Sequence, residues 1–130
     1  MIGSTRNLSV WAMTCPTDMR KGYDGLCALV SRALGRDPLG GDVFLFVSRS
    51  RKRCKALLWD GTGLCIYQKR LEGRRFACLW RAGPERELSL TISELQLFLE
   101  GSTMVGKIAL SPPEYSARKA ASSLEARAAR

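Results

Sequence analysis

No histidine occurs anywhere in the sequence. That absence excludes Ser-His-Asp and Cys-His nucleophilic catalysis, His-ligated zinc, and the paired-His metal sites of enzymes that nick single strands. The five cysteines are Cys15, Cys27, Cys54, Cys65 and Cys78, and no two stand closer than eleven residues, so neither a CxxC pair nor a zinc spacing exists. They are expected to be buried, reduced, small apolar residues in a reducing cytosol. No apolar run approaches the ~20 residues that a membrane-crossing helix needs. The stretch from Met1 to Met13 also lacks the continuous apolar core of a signal peptide. A cytoplasmic location without a membrane partner is the expectation. A glycine-rich loop of P-loop spacing is missing too, and nothing else points to a cofactor or a small-molecule substrate.

Acids are scarce and dispersed. Candidates for holding the metals of polynucleotidyl transfer are Asp18, Asp24, Asp37, Asp42, Asp60, Glu72 and Glu94. A turn accounts for Asp60, a helix start for Asp18 and capping for Glu94, and no strand carries a carboxylate at its centre. No set of acids converges on one place, which argues against an enzyme.

What is present describes a soluble globular protein. Of 130 residues, 45% are hydrophobic and 25% charged, enough for one domain with a core of ordinary size. We expect that domain over residues 1–110. Residues 111–130 form a tail rich in Ala, Ser and Arg, with too few large apolar groups to fold alone.

Periodicity assigns the elements. Asn7 to Thr14 alternates as a first strand and stops at Pro16. Thr17 suits an N-cap, and Met19, Tyr23, Leu26, Val30 and Ala33 share one helical face, predicting a helix from about Asp18 to Leu34. Gly22 and Gly25 weaken its first two turns by about 1 kcal/mol each relative to Ala, so the helix either starts late or has a close backbone approach there. Gly35 suits its C-terminal end. After a loop, Val43 to Val47 is unbroken, apolar and short, a strand covered on both faces. Lys55 to Phe76 reads as a hairpin, with Ala56-Leu57-Leu58-Trp59 and Leu64-Cys65-Ile66-Tyr67 joined by Asp60-Gly61-Thr62-Gly63. That turn is long enough to include a bulge. Phe76 to Trp80 reads as a further strand, Arg81 to Glu87 as a polar turn, and Thr91-Ile92-Ser93-Glu94 as a capping box opening a helix that stops at Gly101. The sum is an α+β fold. It is expected as a small antiparallel sheet of about four or five strands, with the hairpin in the middle and two helices packed on one face.

Charge is the functional signal. The net charge of +9 favours an anionic partner, most often nucleic acid. From Arg49 to Arg81 ten cations face two acids. If the strand ending at Val47 and the two hairpin strands are neighbours, Arg51 to Lys55 and Lys69 to Arg75 fall at one end of the sheet, opposite the Asp60–Gly63 turn. Concentrated cations release condensed counterions from phosphates, and Arg forks onto phosphate or guanine. The candidate nucleic-acid contacts there are Arg49, Arg51, Lys52, Arg53, Lys55, Lys69, Arg70, Arg74 and Arg75, against the plainer reading of a solvated charged rim. Arg20 and Lys21 admit phosphate binding at a helix start, though pattern alone favours local pairing such as Arg20 with Asp24. Trp11, Trp59, Trp80, Tyr23 and Tyr67 suit base stacking, but at strand spacing such residues are more often core.

The run Thr17-Asp18-Met19-Arg20-Lys21-Gly22-Tyr23-Asp24-Gly25-Leu26 resembles the signature of a bacterial transposon accessory family. This is the TnpB-type, Orf2-like product of the second reading frame in the insertion-sequence family numbered sixty-six. It shares a name, and no chemistry, with the RNA-guided nuclease TnpB. The resemblance continues through Leu34 to Pro38, Val43 to Phe46, Lys55 with Leu58-Trp59-Asp60, Gly63-Leu64, Lys69 to Glu72, Gly73 to Phe76 and Leu99 to Gly101. It covers roughly residues 8–102. Two places depart from it: Val47-Ser48 stands where the family has Phe-Arg, and Ala77-Cys78-Leu79-Trp80 where it has Trp-Pro shortly after Arg-Phe.

The resemblance implies an accessory to DNA transposition, working beside a separate, larger transposase that carries the catalytic acids, and it adds weight to Arg20 and Lys21. The expected partners are DNA, at the element's ends, and that transposase. The alternative is an adaptor that binds the transposase without touching DNA.

Overall fold

The computed structural model of the chain describes residues 8–102. The tail expected over residues 111–130 lies outside them. Five strands and two helices follow one another as β1 (Val10–Met13), α1 (Tyr23–Ala33), β2 (Val43–Val47), β3 (Arg53–Trp59), β4 (Leu64–Arg70), β5 (Glu87–Leu90) and α2 (Ile92–Leu99). The strands form one sheet in the order β4-β3-β2-β1-β5. The α+β class and the strand number agree with the sequence.

The sheet is mixed instead of antiparallel, because β1 pairs parallel to β2, with Val10 opposite Val43 and Ala12 opposite Leu45. Parallel neighbours need a long crossover, and the chain between β1 and β2 holds all of α1. The remaining pairings, β1 with β5, β2 with β3 and β3 with β4, are antiparallel. The centre of the sheet is β2, whose five residues are all buried. The β3–β4 hairpin therefore occupies one side, with β4 at the edge. Its register runs without interruption from Arg53 opposite Arg70 to Trp59 opposite Leu64, so the turn contains no bulge.

The two helices lie on opposite faces, not on one. Phe44, Phe46 and Leu57 point to the face covered by Leu26 and Val30 of α1. Val43, Leu45, Val47, Cys54, Ala56 and Leu58 point to the other face and meet Leu95 and Phe98 of α2. Strand side chains alternate between faces, and β2 is apolar at every position, so each face of the sheet needs its own cover.

Phe76 to Trp80 is not a strand. Phe76, Ala77 and Leu79 are buried on the α2 face, while the backbone passes from the β2–β3 turn, where Phe76 N–H donates to the Arg51 carbonyl (2.6 Å), to the end of β1, where Arg81 N–H donates to Thr14 (3.2 Å). Since β4 and β5 sit at opposite edges, the connecting chain has to cross the sheet and has no ladder to join. The strand beyond it, β5, falls in a stretch read partly as polar turn. Its signal was the period-two alternation Glu87-Leu88-Ser89-Leu90.

Helix α1 begins at Tyr23, not at Asp18. Its N-cap is Gly22, without a side-chain cap. Thr17 is committed elsewhere: its N–H donates to the Val47 carbonyl (2.9 Å) and its hydroxyl to Met13 Sδ (3.7 Å). The glycine inside the first turn reflects a close approach, since a Cβ at Gly25 would lie 3.1 Å from that of Lys21. At the other end Gly35 adopts φ +64° and ends the helix.

Helix α2 carries the expected capping box. The Thr91 hydroxyl accepts from Glu94 N–H (3.0 Å), and the Glu94 carboxylate accepts from Thr91 N–H (2.8 Å). Thr91→Ala is expected to cost about 1 kcal/mol, read as a lower urea midpoint at unchanged slope.

Candidate nucleic-acid interface

The turn between β2 and β3 is built by serine. Ser48 N–H donates to the Arg53 carbonyl (2.9 Å), Arg51 N–H to the Ser48 carbonyl (2.9 Å), and Arg53 N–H to Ser48 Oγ (3.2 Å). Arg51 closes this turn at φ 62°. That is the left-handed region, usually filled by glycine in such hairpins. Leu71 N–H donates to the Lys52 carbonyl (2.8 Å), so the chain leaving β4 is tied to the same turn. The two cationic stretches thus meet at one end of the sheet, opposite the Asp60 turn. The segment before α1 joins them through the Thr17–Val47 bond.

The cations there divide by what they touch. Lys69 and Lys55 are half-buried and donate to carbonyls: Lys69 Nζ to Leu99 (2.6 Å) and Lys55 Nζ to Lys21 (2.7 Å). Arg74 donates to the Gly101 carbonyl (3.3 Å) and Arg51 to that of Phe76 (3.2 Å). Helix α2 has no basic residue in its own last turn. Lys69 and Arg74 supply positive charge at that carbonyl-rich end from another part of the chain. These four side chains hold elements together.

Arg20 forks onto Asp18, the residue two positions before it, and not onto Asp24. This pairing lowers the Asp18 pKa, with Lys21 contributing through its charge. Arg70 Nε pairs with Glu72 (2.9 Å) in solvent, a type of contact worth about 0–1 kcal/mol. Arg49, Lys52, Arg53 and Arg75 are exposed, and their side chains make no hydrogen bond or ion pair with the described residues.

Arg53 and Arg70 stand directly opposite each other on the α1 face. Beside them Lys55 opposes Gln68, and Met19 of the segment before α1 closes a cleft of about 340 Å³ lined by these residues. Sequence reading missed Gln68 and Met19. The strand period places Gln68 on the same face as Arg70, so Gln68 was legible. Met19 was not, because only the tertiary fold brings it there.

The aromatics divide as well. Trp11 is committed to structure: the Arg36 guanidinium lies 3.4 Å over its ring, Arg36 forks onto Glu87 (2.8 and 2.7 Å), and Trp11 Nε1 donates to Asp42 (3.2 Å). Trp80 packs on the α2-face core, while Tyr23 and Tyr67 are exposed. Among the cysteines only Cys54 is fully buried, where burial pushes its thiol up to about 12. Cys65 is exposed, contrary to expectation: it stands opposite Leu58 on the α2 face, but on the edge strand β4, which has a neighbour on one side only.

The model of the family described as IS66 Orf2 like protein matches residues 8–107. This chain belongs to the IS66 Orf2-like family. Among curated relatives, the uncharacterized protein y4hO of Sinorhizobium fredii is 35% identical over 101 residues, covering 78% of this chain and 86% of the relative. The uncharacterized protein y4jC of the same organism is 42% identical over 76 residues, covering 58% of this chain and 65% of the relative, slightly under two thirds of its length. No solved structure matches the chain. Membership in the IS66 Orf2-like family implies an accessory role in transposition. No helix among the described residues is long and apolar enough to cross a membrane.

The turn opposite the basic end is anionic. Asp60 accepts from the N–H groups of Thr62 and Gly63 (both 2.9 Å) and from the Thr62 hydroxyl (3.1 Å). These bonds, the Thr62 N–H first, lower its pKa from 3.8 to about 2. A lowered folded-state pKa means that the stabilisation is complete above the ordinary value and is lost as pH falls through about 2. Asp60→Asn is expected to flatten that acid-side loss, measured as the urea midpoint between about pH 5 and 2.

Proposed function

We propose that this IS66 Orf2-like protein assists transposition by contacting DNA through the basic end of its sheet. Arg49, Lys52, Arg53, Arg70 and Arg75, with Lys21 beside them, are the contact residues. The observation that carries this reading is the pairing of Arg53 with Arg70. Like charges directly opposite on a strand pair are destabilising, and a bound phosphate turns that cost into two charge-assisted bonds. Arg51, Lys55, Lys69 and Arg74 act as positioning residues by fixing the turn, the segment before α1 and the end of α2. The φ 62° at Arg51 fits a turn shaped to present its neighbours Arg49 and Lys52.

The DNA partner in this reading is the element's own end, with the larger transposase assembled on the same DNA. Binding to a duplex bearing the terminal repeats, followed across a salt series, tests it. The expected result is affinity that falls steeply with salt. Affinity that does not change with salt overturns the reading. Co-purification with the transposase that survives nuclease treatment, with no duplex binding by the protein alone, points instead to the adaptor.

A further inference from the structure

The cleft on the α1 face has the chemistry of a site for one nucleotide, which is more than a phosphate ridge requires. Its volume of about 340 Å³ sits at the small end of ligand sites, which run from about 300 to 1,000 Å³. A duplex cannot enter such a space, whereas a single nucleotide can. The Arg53 guanidinium has no hydrogen-bond or ion-pair partner among the described residues. Arg70 meets Glu72 through Nε only, leaving its two terminal nitrogens for an anion. The Lys55 ammonium is engaged by the Lys21 carbonyl (2.7 Å), so it supplies field and shape without competing for that anion.

Gln68 presents an amide with both donor and acceptor, and it is exposed on the edge strand. The described residues give that amide no hydrogen-bond partner. Met19 supplies a polarizable apolar wall on the opposite side. Forked cations, an amide and an apolar wall within one small cleft match a phosphate joined to an unstacked base. The amide and the apolar wall offer contacts to a base that the phosphates of an intact helix, which the arginines alone can meet, do not use.

Building on the DNA-contact reading, we infer that this cleft receives one unpaired nucleotide of a DNA strand. Its phosphate lies between Arg53 and Arg70, its base lies against Met19, and the Gln68 amide meets the base edge. A free nucleotide carries the same chemistry, so the test separates the two sources.

Fluorescence anisotropy of the full chain would compare a blunt duplex, the same duplex with a short single-stranded overhang, and unlabelled nucleoside monophosphates as competitors. The expected result is about tenfold tighter binding of the overhang duplex than of the blunt one, with monophosphates competing only at far higher concentrations. Gln68→Ala is expected to reduce that preference to about twofold while its unfolding midpoint stays at the wild-type value. Strong and equal binding of both duplexes overturns the nucleotide site and leaves the DNA-contact reading standing. Failure of both duplexes to bind overturns both. Competition by a monophosphate at concentrations matching the overhang duplex overturns the assignment to a DNA strand.

Discussion

Phe98→Ala is expected to remove about 3–5 kcal/mol of stability, the usual loss for a fully buried aromatic. A domain of this kind has about 5–15 kcal/mol in total, so the variant stands near the edge of folding. Phe98 is the inward residue of α2, completely buried, and its ring stacks on Phe76 at 4.9 Å with the planes 10° apart. Helix α2 is only eight residues long, too short to persist without tertiary packing. Losing Phe98 therefore costs the helix its anchor and leaves a cavity against Phe76. The effect reaches the basic end, because Phe76 N–H holds the Arg51 carbonyl at 2.6 Å. Urea unfolding measures the loss, and Phe98→Leu should lose much less because it refills most of the space. A loss below about 1 kcal/mol for the alanine variant would mean that α2 is not anchored there.

The second large effect concerns charge. Replacing Arg49, Lys52, Arg53, Arg70 and Arg75 together by Gln lowers the net charge from +9 to +4. If each contacts one phosphate, the slope of log K against log salt flattens by about 0.9 per contact. Five contacts make about 4–5 units, which amounts to several orders of magnitude in affinity at low salt. Stability should hold or rise, since the opposed Arg53–Arg70 pair is relieved.

The contrasting variant is Lys69→Met, whose loss leaves the Leu99 carbonyl without its 2.6 Å donor. It should cost about 1–3 kcal/mol of stability and leave the salt slope unchanged. Both residues of the Lys69–Arg70 pair look alike in the sequence, so opposite outcomes at neighbouring positions are a stringent check. If Lys69→Met flattens the slope as Arg70→Gln does, the division of the cations is wrong.

Much of the fold was legible locally. The capping box at Thr91, the Asp60 turn, the buried strand at Val43 to Val47 and the family signature all depend on residues within a few positions of one another. So does the meeting of the two cationic stretches at one end of the hairpin, which follows from pairing two antiparallel strands. The helix start misled because Thr17 and Asp18 form a convincing cap, yet the Thr17 amide is taken by Val47, 30 residues further along the chain. Phe76 to Trp80 misled because a buried apolar run looks the same whether or not it has a ladder.

By itself the sequence determined the class of fold, the family, the lack of histidine chemistry and the concentration of positive charge. Each of these depends on composition or short-range pattern. Tertiary structure alone decided that β1 and β2 are parallel, that the helices cover opposite faces, and which cations bond to distant carbonyls among the described residues. The reason is distance along the chain. Lys55 bonds to a carbonyl 34 residues away, Lys69 to one 30 away and Arg74 to one 27 away. No local pattern encodes a partner that remote. Only the assembled sheet, with α2 laid on one face and the segment before α1 on the other, separates the cations that hold the fold from those left facing outward.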